Sequence, residues 1–160
     1  MAMRTLICVL TCCVMPLAAF AQKKPGEAVS LDGIEIKGEA IPGGRATAVI
    51  RFKLEKGYHT HSNKPSEPQF IATLLTLGEA KGVKAGTVAY PEGKSEKVAG
   101  LAKPLSVYEE QFELSVPIGI TAAAKLPVTI PASLHYQACQ GAQCYRPYDL
   151  KFDLVLPPKK

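Results

Sequence analysis

Apolar and polar residues alternate with a period of two through most of this chain, and that pattern confines the fold to strands. Ala46, Ala48, Ile50, Phe52 and Leu54 share one parity, with Thr47, Arg51, Lys53 and Glu55 on the other. Successive side chains of a strand point to opposite faces, so such a segment buries one face and wets the other. Ile34 and Ile36 alternate with charged neighbours, and Phe112, Leu114 and Val116 repeat the pattern before Pro117, which is expected to close the run. Val128, Ile130, Ala132, Leu134, Tyr136 and Ala138 keep one parity over eleven residues, and Tyr148, Leu150, Phe152, Leu154 and Leu156 answer them. Pro131 falls on the opposite parity and predicts an edge strand or a bulge, because proline cannot donate to a ladder. Phe70–Leu77 and Val83–Tyr90 read as further strands. No window carries a helical period. Seven to nine short strands at roughly ten-residue spacing predict an all-β fold, an antiparallel β-sandwich of the immunoglobulin type.

The first 21 residues stand apart from this pattern. Arg4 precedes a nearly unbroken apolar run from Thr5 to Phe20, and Ala19-Phe20-Ala21 is a small-x-small cleavage site. The run is short, broken by Pro16 and followed by Gln22-Lys23-Lys24, which is a poor membrane span. Thr11 and Cys12, not small residues, precede Cys12 and Cys13, which disfavours a lipid anchor. The reading is therefore a signal peptide over 1–21, a flexible lead-in over 22–28, one domain over 29–157 and a tail over 158–160. The expected compartment is the periplasm, with no stable membrane span. Cleavage removes Arg4 and lowers the formal charge from +5 to +4. The remaining lysines are scattered, with no basic run interleaved with aromatics, so no nucleic-acid partner is expected.

Cleavage also removes Cys8, Cys12 and Cys13, leaving Cys139 and Cys144. Four residues separate them, Gln140-Gly141-Ala142-Gln143, between the two longest matched alternating runs. A hairpin over about 126–139 and 144–156 would place the cysteines opposite one another at its mouth. Directly opposed Cβ atoms lie about 4.5–5.5 Å apart and a disulfide needs about 3.5–4.5 Å, so a bridge is feasible. Three uses are open for such a pair. As a staple it closes a loop of about six residues, worth only about 2 kcal/mol by chain entropy. A domain of this size has a full core, and exposed short bridges are the reducible ones, so redox work is the second use. Metal binding is the third. His59 and His61, at i and i+2, project from one face of an extended segment, and two imidazoles with two thiols form a zinc or copper set. Solvated histidines in an accidental pattern are the plain alternative. Arg146 and His135 lie close in sequence, and positive charge lowers a thiol pKa.

Four stretches together resemble a known family. They are Gly57-Tyr-His-Thr-His-Ser-Asn-Lys-Pro65, Tyr90-Pro-Glu-Gly-Lys94, Leu105-Ser-Val-Tyr-Glu109, and Tyr136-Gln-Ala-Cys139 followed by Cys144-Tyr-Arg-Pro147. They are similar, over Val29 to Leu156, to the disulfide bond corrector family, whose domain forms the periplasmic N-terminus of the interchange protein DsbD. The resemblance implies an immunoglobulin-like sandwich whose two cysteines cycle between dithiol and disulfide and relay electrons to partner oxidoreductases. It implies that Cys144 forms the mixed disulfide and Cys139 resolves it, with no cofactor. Tyr136, Tyr145, Arg146, His59 and His61 become neighbours of the active site. Leu101, Ala102 and Lys103 fall where the family carries a cap loop over the cysteines, with leucine in place of an aromatic. The implied partners are thioredoxin-like or membrane thiol oxidoreductases, as separate proteins. A static-bridge adaptor domain and a His/Cys metal carrier are the alternatives.

Overall fold

The computed structural model describes residues 26–98, 101 and 103–158. The expected signal peptide, most of the lead-in, Ala102 and the last two residues of the tail lie outside the described residues. Among the described residues the chain forms twelve strands and no helix. In order these are β1 (Val29–Gly38), β2 (Arg45–Leu54), β3 (His59–His61), β4 (Leu74–Leu77), β5 (Val83–Ala85), β6 (Lys94–Glu96), β7 (Leu105–Glu109), β8 (Gln111–Ile120), β9 (Val128–Tyr136), β10 (Ala138–Gln140), β11 (Gln143–Cys144) and β12 (Tyr148–Leu156). The count exceeds the expected seven to nine because several are pieces of two to four residues.

All pairings are antiparallel. One sheet has the order β1-β2-β8-β5, a second β12-β9-β4, and a third β11-β10-β3-β7-β6. The alternating runs build the first two. Ala46, Ala48, Ile50, Phe52 and Leu54 are buried, and so are Leu114 and Val116 on β8 and Val128 through Tyr136 at every second position on β9. These side chains form one apolar cluster between the sheets. Phe52 of the first sheet stacks on Phe112 at 5.2 Å and meets Phe152 of the second edge-on at 5.7 Å. The fold is thus an all-β, immunoglobulin-like antiparallel sandwich.

Two prolines depart from expectation for one reason. β8 continues through Pro117 to Ile120, and Pro131 lies in β9, the central strand of its sheet. In a strand a residue's N and C=O point to the same side. The Pro117 carbonyl accepts from Gly86 at 2.7 Å and the Pro131 carbonyl from Gly78 at 2.7 Å. Gly86 lies just past the end of β5 and Gly78 just past the end of β4, so each missing N–H faces a site where the neighbouring ladder has stopped. The expected strands over Phe70–Leu77 and Val83–Tyr90 are shorter than predicted: β4 starts at Leu74, and only an Ala89–Ser115 bridge follows β5. Glu110, at φ 55°, makes the turn that carries the chain from β7 in the third sheet to β8 in the first.

The final hairpin follows the sequence closely. β9 and β12 pair from Val128 opposite Leu156 to Tyr136 opposite Tyr148. Beyond Tyr136 the chain leaves this sheet for the third one, where the cysteines lie.

Candidate functional site: a disulfide beside a buried imidazole

β10 and β11 form a hairpin with Gln140 opposite Gln143 and Cys139 opposite Cys144. Its two-residue loop begins with Gly141 at φ 56°, a conformation that favours glycine at the first central position of a tight hairpin turn. Residues flanking a two-residue loop exchange hydrogen bonds, so the next pair outward is the close, non-hydrogen-bonded one. That pair is Cys139 and Cys144, with Cα atoms 4.0 Å apart and the sulfurs bonded. One step further out, the Tyr145 amide donates to the Ala138 carbonyl at 2.9 Å, and Gln137 Nε2 donates to the Tyr145 carbonyl at 2.9 Å. These bonds hold the outgoing strand in register.

The two sulfurs occupy different environments. β11 is an edge strand of its sheet and Cys144 is exposed. β10 lies between β11 and β3, and Cys139 is fully buried. A solute reaching this bond meets the Cys144 side of it.

Both histidines lie on β3 and both are buried. They face different partners. His61 Nε2 lies 3.9 Å from Cys139 Sγ, while His59 Nδ1 faces the Glu96 carboxylate at 3.3 Å. The His61 ring stacks on Phe70, with centroids 4.4 Å apart. The Thr73 hydroxyl donates to the His61 carbonyl at 2.6 Å and fixes the strand beneath the ring. His61 Nδ1 is buried with no hydrogen-bond partner among the described residues. Burial, and secondarily the neighbouring His59, pushes the His61 imidazole down to about 4. At neutral pH it is therefore uncharged.

The other expected neighbours divide. Tyr145 lies at the hairpin, half-buried, its ring 5.9 Å from Tyr58 and its hydroxyl 3.5 Å from the Gln140 side chain. Arg146 is exposed two residues after Cys144. Tyr136 points into the sandwich: it is fully buried, its hydroxyl accepts from the Val29 amide at 3.3 Å, and its ring packs edge-on against Tyr148. Burial pushes that phenol up to about 12. His135 pairs with Asp149 across β9 and β12 at 2.8 Å, not with the cysteines. Leu101 and Lys103 are exposed, and the Leu101 amide donates to the Val98 carbonyl. Sequence reasoning missed Phe70 and Glu96. Phe70 opened an apolar run, and its aromatic ring was the one available signal; Glu96 lay in a stretch with no pattern.

A recess of about 610 Å³ opens beside the hairpin turn, lined by Tyr58, His59, Glu96, Glu109 and Gly141 among others. Four carboxylates, Glu55, Glu96, Glu109 and Glu110, lie in its lining.

The family described as the N-terminal region of thiol:disulfide interchange protein DsbD matches this chain over residues 32–156. The chain belongs to the DsbD N-terminal family. The match takes in nearly the whole sandwich and both cysteines, so the bond at the β10–β11 hairpin belongs to a thiol–disulfide interchange module. Among solved structures, the chain is similar to the DsbD N-terminal domain of Neisseria meningitidis in its reduced form, at 19% identity and TM-score 0.50, covering 83% of this chain and 89% of that one. It is also similar to the N-terminal periplasmic domain of ScsB from Proteus mirabilis, at 13% identity and TM-score 0.59, covering 84% of this chain and 49% of that one. At these identities the likeness concerns the fold. No curated protein matches the chain. Among the described residues no helix is long and apolar enough to cross a membrane.

Proposed function

We propose that this protein relays electrons in the periplasm by opening and closing the Cys139–Cys144 bond, after export directed by residues 1–21 and as a domain spanning 29–157. One observation carries the reading: an exposed cysteine is bonded to a buried one whose sulfur lies 3.9 Å from a buried imidazole. A donor thiolate attacks Cys144 Sγ, the accessible sulfur, and the S–S bond breaks with its electron pair leaving on Cys139. The donor's second thiol then attacks its own sulfur in the mixed disulfide and releases Cys144. Two electrons and two protons have passed to this chain. In the forward half, the Cys144 thiolate attacks a client disulfide, and Cys139 closes on Cys144 to expel the reduced client. Exchange through mixed disulfides needs no cofactor. A thiolate left at Cys139 is buried, and the His61 N–H is the donor placed to receive it. The expected partners are thioredoxin-like or membrane thiol oxidoreductases, docking at the hairpin and the recess beside it.

The test is a trap. With Cys139→Ser, Cys144 is expected to hold mixed disulfides with partner proteins that survive non-reducing electrophoresis and vanish on adding a dithiol. Failure to capture any periplasmic oxidoreductase, with a free and reactive Cys144, contradicts the reading.

The cap is part of the same proposal. β6 brings Glu96 against His59, so the segment that follows it starts beside the site. Leu101→Gly is expected to speed reduction of the bond by a small dithiol in a stopped-flow assay. An unchanged rate means that Leu101, Ala102 and Lys103 shield nothing.

A further inference from the structure

The buried His61 ring and the two sulfurs bring three metal-ligating atoms together. His61 Nε2, Cys139 Sγ and Cys144 Sγ all lie within 4.8 Å of one another. We propose that the reduced protein binds one thiophilic d10 cation, Zn2+ or Cu+, through these three atoms, and that the bound ion holds the pair out of exchange.

The geometry fits. Metal–sulfur bonds of about 2.3 Å and metal–nitrogen bonds of about 2.0–2.1 Å place sulfur and nitrogen about 3.6–3.8 Å apart around a tetrahedral or trigonal ion. The observed separation of His61 Nε2 from Cys139 Sγ is 3.9 Å, before any movement. Opening the bond lets the sulfurs part to the distance a shared ion needs, and directly opposed strand positions accommodate this without moving the backbone. Two thiolates and one imidazole are soft donors that select zinc or Cu+ over calcium or magnesium. Three protein ligands leave a position open for water on the exposed Cys144 side, as in open zinc sites.

The fixed part of the set is already built. Phe70 stacks on the ring, and Thr73 anchors the backbone under it. No hydrogen bond to Nδ1 among the described residues ties the tautomer, so the proton can move from Nε2 to Nδ1 and leave the Nε2 lone pair facing the sulfurs. His59 is spoken for by Glu96 and stays outside the set. Binding is balanced simply: two thiols lose two protons and gain one cation, with no change in oxidation state. Both sulfurs are then occupied, so neither attacks a disulfide.

The site needs the pair to open, and in that respect it rests on the reading above. A thiol count separates the two. The protein is reduced with a phosphine, the thiols are counted, and Co2+ is titrated in as a spectroscopic stand-in for Zn2+. The expected result is one Co2+ per chain, sulfur-to-cobalt charge-transfer bands of two thiolates, tetrahedral d–d bands, and displacement by equimolar Zn2+. A competition with a chromophoric Cu+ chelator is expected to show one Cu+ on the same reduced form. The oxidised protein is expected to bind neither. Cys144→Ser, at an exposed position, and His61→Gln are each expected to weaken binding at least about tenfold. Two free thiols with no cobalt bands overturn the site and leave the exchange reading standing. Unreactive, still-bonded sulfurs overturn both. Equal affinity in His61→Gln, with unchanged d–d bands, reduces the set to a bare dithiol and overturns the proposal.

Discussion

Cys144→Ser is expected to abolish dithiol–disulfide exchange and leave the sandwich standing. Cys144 lies on an exposed two-residue edge strand outside the apolar cluster, so no core contact is lost. The bond closes a loop of about six residues, and by chain entropy its removal costs about 2 kcal/mol. A domain of this size has stability of about 5–15 kcal/mol, so most of the margin survives. The β-sheet circular-dichroism spectrum is expected to match that of the parent, while turnover of a thioredoxin-like dithiol falls to background. A lost spectrum would make the bond a structural staple. Retained exchange would move the chemistry off this pair.

Acid is expected to destabilise the oxidised protein through His61, and His61→Phe to remove that part of the loss. The group is held at about 4 in the folded chain and takes its ordinary value of about 6.5 when unfolded. Between those values the unfolded chain binds the proton and the folded chain does not, so stability falls as pH drops from about 6.5 toward about 4. By pH 4.5 the loss is roughly 2–3 kcal/mol. A phenyl ring keeps the stack on Phe70 and has nothing to titrate. His59 and the Glu96 carboxylate face each other next to the site in parent and variant alike. The reading is therefore the difference between parent and variant in urea-melt stability at pH 7 and 4.5, in chelator with the bond closed. Parallel curves would show that His61 is not held neutral by burial.

The sandwich was legible because half-buried antiparallel strands write their faces into parity. The runs on β2, β8, β9 and β12 gave the buried positions and the pairing of the last hairpin. The opposition of Cys139 and Cys144 followed from the turn between them. Parity alone misled at the prolines, because it shows a missing donor without showing whether a neighbouring strand is present to need it. Pro117 and Pro131 sit where β5 and β4 have ended, a fact of sheet assembly and not of local pattern. The division of labour between the histidines was illegible for the same reason. Their i, i+2 spacing put them on one face of β3, but what each ring meets depends on strands from far along the chain: Cys139 on β10 for one, Glu96 on β6 for the other. Tyr136, adjacent in sequence to the cysteine strand, belongs by parity to the core set, and the structure places it there.

The most direct measurement is the equilibrium of the Cys139–Cys144 pair against a series of dithiol buffers, followed by thiol alkylation. The account predicts a reversible two-electron titration with a midpoint above about −300 mV, within reach of physiological oxidoreductases. A midpoint well below that, with the bond closed in every buffer that such partners can maintain, would contradict it.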